Sequence, residues 1–99
     1  MAKFTTRVEL HGAYEESDYE ILHQAMEKVG FIRTIMDTDT KIVYKLPPAE
    51  YNAIGNFTRE QVLQAAKTAA KKTKKKFSVI VTPSTGRIWY NLEEEFERN

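Results

Sequence analysis

Two stretches of strict alternation bracket two stretches of helical period, and that order limits the folds open to this chain. In "KFTTRVEL", residues 3–10, Phe4, Thr6, Val8 and Leu10 fall on one side, with Thr5, Arg7 and Glu9 on the other. In "KFSVIVT", residues 76–82, Phe77, Val79 and Val81 alternate with Ser78, Ile80 and Thr82. A period of two, rich in β-branched and aromatic residues, predicts two half-buried strands. Between them, "SDYEILHQAMEKVG" sets Tyr19, Leu22, Met26 and Val29 at helical spacing. Ser17 and Glu20 match a capping box, and Gly30 supplies a left-handed stop. In "TREQVLQAAKTAAKKTKK", Thr58 and Gln61 form a second capping box. Val62, Ala66, Ala69 and Thr73 share one face of this second helix, with Leu63 and Ala70 beside it. Lys67, Lys71, Lys74 and Lys75 lie opposite.

The middle of the chain supplies the remaining elements. "FIRTIM" and "KIVYKL" flank "DTDT" and predict an antiparallel hairpin. "PPAEYNAIGNF", with two prolines and Gly55, predicts an irregular crossover. "PSTG" turns the chain, and "RIWY" predicts a short final strand. The order is β-α-β-β-α-β plus a terminal strand. Right-handed crossovers place both helices on one face of one antiparallel sheet, a ferredoxin-like arrangement of the α+β class. The other face is left for solvent, ligand or a second subunit. Residues 1–92 form this domain and 93–99 an acidic tail.

Size and composition narrow the function. Ninety-nine residues suffice for one core. There is no cysteine, so no disulfide or thiolate chemistry, which suits a reducing cytoplasm. No apolar run reaches the length of a signal peptide or membrane span. The expected location is cytoplasmic, without membrane contact. No Gly-rich phosphate loop, P-loop, Ser-His-Asp order or H-E-x-x-H is present, so no small-molecule cofactor is expected.

The net charge of +1 hides a segregation. Residues 1–66 carry −3, residues 67–92 carry +7 and residues 93–99 carry −3. The centre of the basic stretch is "KKTKKK", residues 71–76. A lysine stripe neutralises phosphates and gives salt-sensitive, sequence-independent binding. The opposing reading is a solvated helix end, where cations suit the dipole. Helical phasing turns most of these lysines away from the open sheet face, and only Lys76 leads onto it. The acidic tail is a further partner for the stripe.

Several residues carry candidate chemistry. His11 ends the first strand, where a neutral imidazole takes a proton from a ribose 2′-hydroxyl. Arg33 or Arg7 would then stabilise the phosphate charge. His23, inside the first helix, reads as a core-edge residue. Asp37 and Asp39 suit either magnesium or an ordinary hairpin turn, and the turn is favoured, so no metal site is assigned. Trp89, Tyr90, Tyr44 and Tyr51 suit either base stacking or closure of the core. The exposed central-strand aromatics of an RNA-recognition motif are missing.

"FTTRVELHGA", "DYEILHQAMEKVGFIRTI", "YKLPPAEYN" and "SVIVTPSTGRIWYNL" together resemble the GhoS-type endoribonuclease antitoxins of type V toxin–antitoxin systems. The resemblance covers nearly the whole chain as a pattern. It implies a ferredoxin-like fold, similar to that of the small CRISPR-associated nucleases, with dimerisation through the sheet and cleavage of a messenger RNA. Related nucleases often place an aspartate at the end of the first strand, where this chain has "VELHG", so no catalytic residue is carried over. The resulting expectation is an RNA-binding, mRNA-cleaving, antitoxin-like protein. Arg7, Lys71, Lys74, Lys75 and Lys76 would bind single-stranded RNA, and His11 and Arg33 would do the chemistry. The alternative is a non-catalytic dimeric interaction module of phage or plasmid type.

Overall fold

The computed structural model describes residues 2–12 and 15–95. The last four residues of the expected tail, 96–99, lie outside the described residues. The elements are β1 (Ala2–His11), α1 (Glu16–Lys28), β2 (Thr34–Met36), β3 (Val43–Lys45), β4 (Glu50–Gly55), α2 (Arg59–Ala70) and β5 (Lys76–Ser84). A short 3-10 turn, Lys71–Thr73, continues α2. The fold is mixed α+β. β1 is the centre of a three-stranded antiparallel sheet of order β4-β1-β5, and β2 and β3 form a separate two-stranded sheet.

The alternation of β1 does what its pattern predicts. Phe4, Thr6, Val8 and Leu10 are buried, and they meet Leu22 and Met26 of α1 and Val62, Ala66, Ala69 and Ala70 of α2. Tyr51 and Ala53 of β4 and Phe31 complete this cluster. The alanines of α2 bring its axis close to the sheet. Truncating Leu22 or Met26 to alanine would cost about 2–5 kcal/mol, a large part of the stability of a small domain.

Helix ends follow local chemistry, with one departure. Thr58 Oγ1 accepts from Gln61 N at 3.1 Å and Gln61 Oε1 accepts from Thr58 N at 2.9 Å, the expected capping box. The expected box at Ser17 and Glu20 does not form. α1 starts two residues earlier than Ser17 as an N-cap requires, its N-cap is Glu15, and Ser17 Oγ donates to the Glu15 carboxylate. α1 closes in a Schellman motif: Phe31 N donates to Met26 O and Gly30 N to Glu27 O, each at 3.0 Å. Gly30 holds φ +99° there. Phe31 then packs in the core with Met26.

Three expectations about strands need correction. First, "PPAEYNAIGNF" holds β4, which pairs with β1 along six residues from Ala2↔Gly55 to Arg7↔Glu50. Pro47 and Pro48 break the chain only ahead of the strand, and Ala49, at φ +72°, swings it into the sheet. Second, the hairpin is not in the main sheet. "FIRTIM" divides: Ile32 exchanges two backbone hydrogen bonds with Asn52, at 2.9 and 2.7 Å, while Thr34–Met36 turn away to pair with β3. Third, "RIWY" is not a strand. Its alternation is real, with Arg87 and Trp89 half-buried and Ile88 and Tyr90 exposed, but among the described residues no strand pairs with its backbone. The chain next meets a partner at residues 93–95, where Lys45 N donates to Glu93 O and Glu95 N to Val43 O, each at 2.8 Å.

One core atom is unsatisfied. Thr6 is fully buried, and its Oγ1 has no hydrogen-bond partner among the described residues. A buried hydroxyl without a partner costs about 1–3 kcal/mol. Thr6→Val keeps the shape and removes the orphan, so the urea midpoint should rise, by about 1 kcal/mol of stability at unchanged m. A fall in stability would show that the hydroxyl is satisfied in solution.

Candidate functional site

Residues directly opposite one another in paired strands share a face. The register therefore places Lys3, Thr5, Arg7, Glu9 and His11 of β1 away from the helices. Glu50, Asn52 and Ile54 of β4 and Lys76, Ser78, Ile80 and Thr82 of β5 join them. This is the face away from the helices that the alternation predicts; the helices leave it uncovered, and it is open at His11, Lys76 and Ser78, while Asn52 is buried where Arg87 reaches it.

One corner of it is rich in groups that handle phosphate. His11 stands opposite Lys76, and His11 Nε2 lies 2.8 Å from Ser78 Oγ. All three side chains are exposed. Two residues along β1 from Glu9, exposed Arg7 reaches half-buried Glu50 at 3.6 Å. The end of α2 delivers the other lysines to the same end of the sheet. Lys74 sits in the left-handed region at φ 60°, where it stops the helical turn. Lys71 and Lys74 are exposed. Lys75 is half-buried and reaches Asp18 of α1 at 3.9 Å, which ties the loop to the first turn of that helix.

Arg33 is not brought to His11. Ile32 pairs with Asn52 and so shares the uncovered face, which turns Phe31 and Arg33 to the other side. There Arg33 neighbours a pair made of half-buried His23 and buried Tyr51. His23 Nδ1 is hydrogen-bonded to the hydroxyl of Tyr51, whose side chain is fully buried. Burial, and then the Arg33 charge, lower the His23 pKa below its ordinary 6.5, against a smaller opposing pull from Glu20. Burial raises the Tyr51 hydroxyl well above its ordinary value. Tyr51 is thus a core residue, withdrawn from any surface stacking role.

The carboxylates of the hairpin serve its turn. Asp37 Oδ1 accepts from Asp39 N at 2.8 Å and Thr40 N at 3.2 Å. Among the described residues no group of three His, Cys, Asp or Glu side chains is gathered as a metal site. Glu93 and Glu95 reach Lys45 at 3.9 and 4.0 Å, so the described part of the tail pairs with β3 and not with the lysine run.

A third group went unread in the sequence. Arg87 reaches across the uncovered face, and its Nη1 donates to Asn52 Oδ1 at 2.7 Å and to Thr5 Oγ1 at 3.4 Å. Asn52 Nδ2 donates in turn to Thr34 O at 3.3 Å. Burial lowers the Arg87 pKa, but a guanidinium stays charged throughout the physiological range. The signal was a polar residue alternating with Tyr51 and Ala53, visible only once that segment is read as a strand. Beyond Arg87 the chain borders a cleft of about 600 Å³ between residues 84–92, the hairpin turn and Lys3. Trp89 packs edge-to-face on Tyr44 there, with ring centroids 5.5 Å apart.

Comparison of the chain with protein-family models, with curated proteins and with solved structures gives no match. The function is therefore argued from this geometry.

The His23–Tyr51 pair makes a stability prediction. As pH falls below about 6.5, the unfolded chain takes up a proton at His23 that the folded chain resists. The stability that this histidine contributes is present above that value and is lost as pH falls through its folded pKa. Urea unfolding of His23→Gln should therefore lie closest to wild type at low pH, with the gap opening from pH 5 to 7.5. Parallel curves would contradict the assignment.

Proposed function

We propose that this chain is a single-stranded RNA-binding protein of the endoribonuclease-antitoxin kind, working on the uncovered face of its sheet. The observation that carries the reading is the pairing of His11 with Lys76 across β1 and β5, with Ser78 Oγ fixing the imidazole. We infer the ferredoxin-like order as well: Ile32 beside β4 supplies the fourth strand position of a sheet running β5-β1-β4 and then residues 31–33.

In this reading the backbone phosphates meet Lys71, Lys74, Lys76 and Arg7. Lys75 contributes less, because it is drawn to Asp18. His11 takes the proton of a ribose 2′-hydroxyl. The 2′-oxygen bonds to phosphorus, the bond from phosphorus to the 5′-oxygen breaks, and water protonates the leaving oxygen. Lys76 stands where it stabilises the charge that grows on the phosphoryl oxygens. This chemistry uses no metal. Arg33 has no part in it, being turned to the other side of the sheet.

A second reading rests on its own observation. Ile80 is 61% exposed on the uncovered face, Ile54 is exposed beside β1, and β5 is an edge strand among the described residues. These suit a homodimer through the sheet, which is compatible with RNA binding or replaces it. If the sheet is the interface, Ile80→Glu should convert a dimer to a monomer in sedimentation velocity.

The RNA reading makes two separable predictions. Lys74→Glu with Lys76→Glu should weaken binding of labelled single-stranded RNA by tenfold or more, measured by anisotropy. The slope of log affinity against log salt should fall by about 1.4, at about 0.7 per lost phosphate contact. Unchanged affinity would end the basic-corner reading. His11→Ala should abolish cleavage in chelator-containing buffer and leave affinity within about threefold. Cleavage that survives this change would remove His11 as the base.

A further inference from the structure

The cleft at the far end of the uncovered face has no role in the reading above. It lies at the opposite end of β1 from His11, eight residues away, or about 27 Å at strand rise. Its composition is unlike that of the phosphate-binding corner. Tyr44, Trp89 and Tyr90 line it together with Lys3, Asp39 and Arg87. Trp89 is half-buried against Tyr44, which fixes its ring. Tyr90, in contrast, is 91% exposed, an uncommon state for a tyrosine that closes a core. Trp89 and Tyr90 are neither of them part of the core cluster.

We propose that this cleft is a base-stacking subsite that takes one nucleobase of the bound single-stranded RNA, a proposal that rests on the RNA-binding reading. Each feature of the lining suits that occupant. Aromatic faces stack on any base and contribute about 1–3 kcal/mol per base. Lys3 and Arg87 flank the rings at the end of β1, on the face along which the backbone phosphates would run. Arg87 is held in place by Asn52 and Thr5, so this wall of the cleft is fixed before any ligand enters. Asp39, exposed on the facing wall, repels a phosphate and accepts from the amino edge of adenine, cytosine or guanine. The base is therefore the part of the nucleotide that enters. The two ends of the face then divide the work: the His11 corner holds phosphate, and the aromatic cleft fixes how far the strand extends past it.

The chain has a single tryptophan, so its emission reports on this cleft alone. The test is titration of the full chain with a single-stranded adenine hexanucleotide, non-cleavable through 2′-O-methylation. It would be followed in parallel by Trp89 emission and by the anisotropy of a label on the RNA. The expected result is quenching that saturates together with anisotropy. Tyr90→Ala should weaken binding at least about fivefold, and Tyr90→Phe, which keeps the ring, should restore it. Binding seen by anisotropy with unchanged emission, or with equal affinity for Tyr90→Ala, overturns the stacking subsite and leaves the RNA reading intact. No binding by either signal overturns both.

Discussion

β1 is the strand on which everything else hangs. It is paired along most of its length on both sides, with β4 and with β5. Its alternation then separates two environments. Phe4, Val8 and Leu10 face the helices and build the core, while Lys3, Arg7 and His11 face outward. A one-residue slip in either pairing would exchange these sets. The core and the proposed site are therefore specified by the same register.

The legible parts of the fold were those whose periodicity matched their final environment. β1, β5 and the α2 face of Val62, Ala66, Ala69 and Thr73 took the places their spacing predicts. β4 was hidden because Pro47, Pro48 and Gly55 bracket it closely and read as loop signals for the whole segment. "RIWY" misled in the opposite way, since alternation reports two different sides but not the presence of a neighbouring strand. The capping box at Ser17 lost to a helix start two residues earlier, with Glu15 as N-cap and Ser17 bonded to it instead. The site was legible to the same extent. His11, Arg7 and Lys76 follow from strand parity alone. Arg33 could not be placed, because "FIRTIM" is apolar on both sides and splits between two sheets.

The lysine run is not one object. Lys75 ties a loop to α1, Lys74 occupies a left-handed turn, and Lys76 crosses onto the uncovered face. The left-handed conformation costs a lysine about 1–2 kcal/mol relative to glycine. The described acidic residues Glu93 and Glu95 are engaged with Lys45 of β3 and not with the run. Charge segregation seen along the sequence thus becomes a cluster of cations at the His11 corner of the sheet.

The central claim is that the uncovered face of β1 and β5 receives single-stranded RNA. Backbone amide shifts recorded during titration with such an RNA test it most directly. The account predicts that the amides of Arg7, His11, Lys76 and Ser78 move in a concentration-dependent way while those of Leu22 and Met26 stay still. Shifts confined to the helices, or none at saturating RNA, would contradict it.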